Sequence, residues 1–172
     1  MTDRVENLLG VVALLISDQY VYQSGKNDKN GVLDNSANSI LNTIKMNPGI
    51  SIEEMRQVVD LSHSAAVRSI QNLEKNEFIK KDVANDRRAV ALFITDKGDG
   101  YISQILFQRN TALKKLTSHL DCNEKIVLEN ILMKIVYEKV DSDADAKKTC
   151  RFCDFEICVK KGCPVESKKL NF

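Results

Sequence analysis

Between Ser51 and Thr95 the spacing of apolar residues changes from helical to alternating, once and without a break, and that order leaves little choice of fold. Ser51-Ile-Glu-Glu54 has the form of a capping box, in which a hydroxyl and a carboxylate satisfy free backbone donors at a helix start. The helix it opens carries Ile52, Met55, Val58 and Val59 inward. Asp60 and Leu61 form a turn, and Ser62 caps a second helix through Lys75, with Ala66, Ile70 and Leu73 on its buried stripe. Two short helices so tightly joined predict a helix-turn-helix. Residues 78–84 and 89–95 follow, separated by Asn85-Asp86-Arg87-Arg88. In the second run Val90, Leu92 and Ile94 share one side while Ala89, Ala91, Phe93 and Thr95 share the other, which is the period of a β-hairpin. A hairpin directly after a helix-turn-helix is a wing.

The flanks are helical. Val5, Leu8, Leu9, Val12, Leu15 and Ile16 form one apolar stripe of a long helix ending near Tyr22, and residues 24–34 read as a polar loop. Ile40, Leu41 and Ile44 mark a short helix stopped by Pro48-Gly49. Thr95 can cap a long helix after Gly98 with Ile102, Ile105, Leu106, Leu113, Leu116 and Leu120 as its apolar positions. A last helix from about Asn123 has Leu128, Ile131, Leu132, Ile135 and Val136 at helical spacing. Ile126, Val127, Met133 and Tyr137 make it apolar nearly all round, so it needs cover on more than one face, and a partner subunit is the simplest cover. Residues 141–149 read as a charged linker. The fold expected is mainly α with a small β-hairpin wing: a winged helix-turn-helix flanked by long helices.

With Ala66, Ile70 and Leu73 inward, Ser64, Arg68, Gln71, Asn72 and Lys75 project outward at 100° per residue. These residue types suit a major groove: arginine pairs with guanine, glutamine or asparagine with adenine, and serine or lysine with phosphate. Net charge is only +1, so any attraction for a polyanion must be local. It is local at Lys75, Lys80, Lys81, Arg87 and Arg88, although such a cluster also describes an ordinary solvated face. At the wing tip Arg87 or Arg88 could enter a narrow minor groove, with Asp86 orienting an arginine.

The order of these pieces resembles the multiple-antibiotic-resistance regulator (MarR) family over roughly residues 1–140. Its carriers are Leu61-Ser62-His63-Ser64-Ala65-Ala66, the helix end Leu73-Glu-Lys-Asn-Glu-Phe78-Ile79, and the wing's Asp86-Arg87-Arg88 closing on Ile94-Thr95-Asp-Lys-Gly98. The resemblance implies a homodimer that sets one recognition helix per subunit into successive major grooves of palindromic double-stranded DNA. It implies contacts from Ser62, Ser64, Ala65 and Arg68, and a wing arginine, Arg88, held by Asp86. It also implies a repressor released by a small-molecule effector, phenolic or lipophilic, or by thiol oxidation. The chain then divides into a dimerisation helix and loop (1–34), a DNA-binding lobe (35–98), dimerisation helices (99–141) and a cysteine-rich tail (142–172).

Of five cysteines, four lie in the tail as Cys150-x2-Cys153-x4-Cys158-x4-Cys163. Four thiolates satisfy the tetrahedral preference of zinc, and the spacing equals that of the retroviral zinc knuckle with cysteine in place of its histidine. Phe152, Phe155, Ile157 and Val159 are too few to fold this segment alone, so a bound metal could supply the folding energy. Zinc is the first reading. An iron–sulfur cluster is the second, and reversible disulfides or free thiols in a disordered tail the third. Cys122 stands apart and reads as a small buried hydrophobe.

His63 and His119 are the only histidines, and neither a phosphate-binding glycine loop nor a nucleophile motif occurs, so no catalytic role is expected. No apolar run reaches the ~20 residues that span a bilayer, and residues 8–16 lack the flanks of a signal peptide, so a cytoplasmic protein is expected. Two other readings stay open. The tail could act as a metal or redox sensor, or the winged helix could be a vestige in a protein-interaction module.

Overall fold

The computed structural model describes residues 3–27, 33, 35–83 and 90–169, with residues 19–27, 83 and 169 described by backbone alone. The expected wing tip, with Asp86, Arg87 and Arg88, lies outside the described residues, as does most of the expected loop before residue 35.

The lobe is built on α2 (Asn35–Met46), whose Ile40, Leu41 and Ile44 are fully buried and which ends before Pro48-Gly49. Gly49 takes a left-handed φ of 86° and turns the chain into β1 (Ile50–Ser51). Helix α3 (Ile52–Val59) begins on the expected capping box. The Glu54 amide donates to the Ser51 hydroxyl at 3.1 Å, and the Ser51 amide donates to the Glu54 carboxylate at 3.1 Å. Asp60, in the left-handed region at φ 57°, ends α3 and turns the chain towards α4 (His63–Lys75), whose N-cap is Ser62. Ala66, Ile70 and Leu73 sit on the inner face of α4, as their spacing predicts.

Strands β2 (Ile79–Val83) and β3 (Val90–Ile94) pair antiparallel, with Lys81 opposite Leu92. Strand β1 adds to the free edge of β3, Ile50 opposite Leu92, giving the order β1-β3-β2. Two residues show no periodicity, which is why this third strand is absent from the sequence reading. Leu92, at 0% exposure, is buried where the hairpin packs against α2 and the helix-turn-helix.

Around the lobe run α1 (Arg4–Asn27), α5 (Asp96–Leu116) and α6 (Cys122–Glu138). Helix α1 continues through Asn27, past the expected end near Tyr22, so the expected loop starts later. Helix α5 starts at Asp96, ahead of the expected start after Gly98, because the Thr95 hydroxyl already accepts from the Gly98 amide at 3.1 Å. Helix α6 buries none of its residues within the chain.

The C-terminal segment differs most from expectation. The expected linker is a helix, α7 (Asp143–Cys150), capped by Ser142 and packed against α3. Two more short helices follow, α8 (Phe155–Lys160) and α9 (Pro164–Lys169), and α9 packs against α6. The tail also has a core, Val140, Ala146, Cys163 and Val165, while Phe152 packs against the core of the lobe. The segment thus folds as a brace on the molecule and not as an isolated loop.

Candidate nucleic-acid interface

Helix α4 positions the candidate reading residues. Its buried stripe fixes its rotation, and with that rotation Ser62, Ser64, Arg68, Gln71, Asn72 and Lys75 are exposed while Ala65 is half-buried. The first turn is ordered by its own hydroxyls: Ser62 Oγ accepts from the Ala65 amide at 3.3 Å and lies 3.3 Å from Ser64 Oγ. Ser62 therefore spends hydrogen-bonding capacity on the cap. Asn72 is partly committed too, because Asn76 Nδ2 donates to its side-chain oxygen at 2.9 Å and to its carbonyl at 2.8 Å. Arg68 and Gln71 remain the long polar side chains at the centre of the face.

The basic cluster is thinner than the sequence suggests. Lys81 is paired with Glu74 at 2.6 Å, which leaves Lys75 and Lys80 as the exposed lysines flanking α4 and β2. On α3, Arg56 forms a fork to the Glu53 carboxylate, with Nε donating at 2.8 Å. That pairing holds the Glu53 carboxyl below the usual carboxylate range and raises Arg56. The backbone amide of Ser51, followed by its hydroxyl, does the same to Glu54. Glu53 and Glu54 on α3 are thus matched by local partners.

The second cluster is the tail's. Cys150, Cys153, Cys158 and Cys163 line one cleft together with Arg109 and Phe152. Cys158 meets both Cys153 and Cys163 thiol to thiol, and no disulfide joins any of them. Burial, followed by the neighbouring Cys163, pushes the Cys158 thiol up to about 12. Burial also raises Cys153. Among the described residues no three histidine, cysteine or acidic side chains already stand as a finished metal-holding group. Cys122 is exposed in the first turn of α6 and is not the small buried residue expected.

Sequence reasoning missed what holds this cleft in place. Asn42 of α2, 1% exposed, donates through Nδ2 to the carbonyls of Arg151 at 3.2 Å and Cys153 at 3.1 Å. Asn110 of α5 donates to the Asp154 carboxylate at 2.8 Å, and the Arg109 guanidinium lies 5.7 Å from the centre of the Phe152 ring. Lys148 of α7 reaches Asp60, in the turn of the helix-turn-helix, at 3.5 Å. A polar Asn42 amid the apolar positions of α2 was the one available signal.

Residues 33–89 match the MarR family. The chain is similar to the transcriptional repressor MprA of Escherichia coli strain K12, with 32% identity over 91 residues, 52% of each chain. It spans about half the length of the curated relatives it matches at that level. In fold it is similar to a MarR family protein from Bacillus stearothermophilus, with a TM-score of 0.68 at 17% identity over 78% of this chain and 91% of that one. It is also similar to Streptococcus pneumoniae FabT, solved in complex with DNA, with a TM-score of 0.60 at 17% identity over 76% of this chain and 90% of that one. The fold is therefore the MarR winged helix.

Proposed function

From the premise that the chain carries a MarR family domain over residues 33–89, we infer that it is a transcription regulator that binds double-stranded DNA as a homodimer. The observation that carries this reading is the rotation of α4. Ala66, Ile70 and Leu73 are buried, and Arg68 and Gln71 are exposed on the opposite face. A helix so mounted enters a major groove with its first turns against the base edges. Arg68 reads guanine through a bidentate contact, Gln71 reads adenine, and Ser64 with Lys75 and Lys80 hold phosphates. Arg88, with Asp86 and Arg87, lies outside the described residues; its minor-groove role is carried by the resemblance to the family alone. Ser62 and Asn72 serve the ends of the helix more than the DNA.

The dimer covers what the single chain leaves bare. Val5 is 68% exposed on α1, and Ile126 and Ile131 are 57% and 51% exposed on α6. Contiguous apolar faces of this kind mark association surfaces. A two-fold pair would present two α4 helices to a palindromic operator. The similarity to the repressor MprA favours repression, with relief by a small molecule between the dimer helices and the lobe. Among the described residues no helix is long and apolar enough to cross a membrane, and the reading places the protein in the cytoplasm with no catalytic step.

The test starts by selecting a binding site from random duplex DNA. Affinity for that site should fall steeply with added salt, as phosphate contacts release counterions. Arg68→Ala should weaken binding by about 1–3 kcal/mol and relax preference at one base position. Arg88→Ala should weaken it as well. If both variants bind the selected DNA as the parent does, α4 is not the reading surface. A salt-independent contact with another protein would favour the interaction-module reading.

A further inference from the structure

We propose that Cys150, Cys153, Cys158 and Cys163 form a closed four-thiolate site for one zinc-class metal ion, and that this ion fastens the C-terminal helices to the DNA-binding lobe. The inference goes beyond DNA binding and stands without it.

Four cysteines from four different backbone settings face one cleft, although among the described residues no three of them stand as close as a bound ion would draw them. Cys150 ends α7, Cys153 lies in the turn after it, Cys158 is within α8, and Cys163 directly precedes α9. All four line one cleft, and Cys150 and Cys158 pack against Cys163 in the small core of the tail. Cys158 sits between Cys153 and Cys163 within hydrogen-bonding reach of each thiol. Four sulfurs at ~2.3 Å from a single tetrahedral ion stand about 3.8 Å from one another, so the thiols that line the cleft must close on the ion as it binds. An iron–sulfur cluster anchors its cysteines to separate irons. The direct contacts of Cys158 with Cys153 and Cys163 favour one ion.

Chemistry and charge agree. Each thiol that binds releases its proton to solvent, so a divalent ion with four thiolates leaves a centre of net charge −2 and frees four protons. A buried dianion needs cationic and donor groups near it. Arg109 lines the cleft, its charge acts on Cys153, and its Nε is buried with no hydrogen-bond partner among the described residues. Thr43, 1% exposed, likewise has a hydroxyl with no partner among the described residues and lines the adjoining cavity with Cys150, Cys153 and Cys163. A thiolate sulfur would accept a hydrogen bond from either.

The fastening follows from what lies between the ligands. Phe152, set between Cys150 and Cys153, packs against the core of the lobe, and the carbonyls of Arg151 and Cys153 are gripped by Asn42. The tail's own core is small. An ion that draws the four sulfurs together locks α7, α8 and α9 into one body already hooked into α2. The residues that would hold the ion are thus the ones that hold the brace.

The experiment uses the full chain, reduced, metal-free and kept from oxygen, titrated with cobalt(II) alone and with no DNA present. Thiolate-to-cobalt charge-transfer absorption with tetrahedral ligand-field bands should saturate at one ion per chain and be displaced by zinc(II). Cys153→Ser and Cys158→Ser should each weaken cobalt binding at least roughly tenfold, and Cys122→Ser should leave it unchanged. A second readout needs no variant and guards against serine substitutions that fail to fold. Alkylation of the zinc-loaded parent should label Cys122 alone, whereas the metal-free chain should label all five cysteines. Amide exchange across residues 143–169 should slow when zinc is added. The proposal is overturned by any of three results: no cobalt bound, the same spectrum in both serine variants, or protein purified anaerobically with iron and labile sulfide. Zinc binding that leaves tail exchange untouched would overturn the fastening.

Discussion

Gly98 shows how one position can be fixed by backbone alone. The Phe78 carbonyl accepts from both the Thr95 amide at 3.0 Å and the Thr95 hydroxyl at 3.1 Å, and so is pinned over the first turn of α5. A Cβ added at Gly98 would lie 2.1 Å from that oxygen and 2.9 Å from its carbon, and neither atom can move without opening the wing. Gly98→Ala should therefore cost stability where alanine in a helix normally adds it. The loss expected is about 1–3 kcal/mol or more, since overpacking here meets backbone. For a chain of this size each kcal/mol lowers Tm by about 2–4 °C, and thermal unfolding followed by circular dichroism reads it directly. An unchanged Tm would mean that Phe78 yields. The sequence marks Gly98 as the close of the wing, but not why, because the obstacle comes from Phe78 across the sheet. Arg68 was legible for the opposite reason: its orientation depends on α4 alone, and 100° per residue suffices.

Among the elements, α2 carries two loads. Its apolar face builds the lobe, and its Asn42 holds the tail. Asn42→Ala leaves two part-buried carbonyls without this donor, a cost of up to about 1–3 kcal/mol for each group that water cannot reach. The expected result is faster cleavage by trypsin after Lys160 and Lys161 while the lobe stays intact; unchanged cleavage would show that Asn42 does not hold the tail. The tail's structure was hidden by its composition. Helix α7 buries only Ala146 and is otherwise held by the Ser142 cap and a Lys147–Asp143 pair at 3.0 Å, so it has the charged, stripe-free look of a linker. Long periodic elements behaved differently. In α4 and α6 the pattern repeats over several turns, so the existence of both was readable, and for α4 the facing as well. End points were less so, as α1 and α5 show, because caps and local hydrogen bonds decide them.

For the whole molecule, the bare face of α6 matters most. An apolar helix with no buried residue is costly in water unless another chain covers it. Ile131→Asp would place an unpaired carboxylate in each half of the proposed two-fold interface, where an uncompensated buried charge costs about 3–5 kcal/mol. Sedimentation is expected to find the parent dimeric and this variant monomeric at the same concentration. A dimeric Ile131→Asp protein would move the interface elsewhere. The net charge of +1 requires that, in the proposed reading, attraction for DNA be confined to one edge. That edge was only half legible from the sequence, since pairing of Lys81 with Glu74 removes a cation that composition had counted.

The grip of Asn42 on the tail also sets a clock. Its partners lie 109 and 111 residues further along the chain. A ribosome adding about 5–20 residues per second reaches them roughly 5–20 s after Asn42 is made. Throughout that interval the newborn lobe lacks the carbonyl partners of Asn42 and the ring of Phe152, so the turn between α7 and α8 closes a core whose other parts are made well before it.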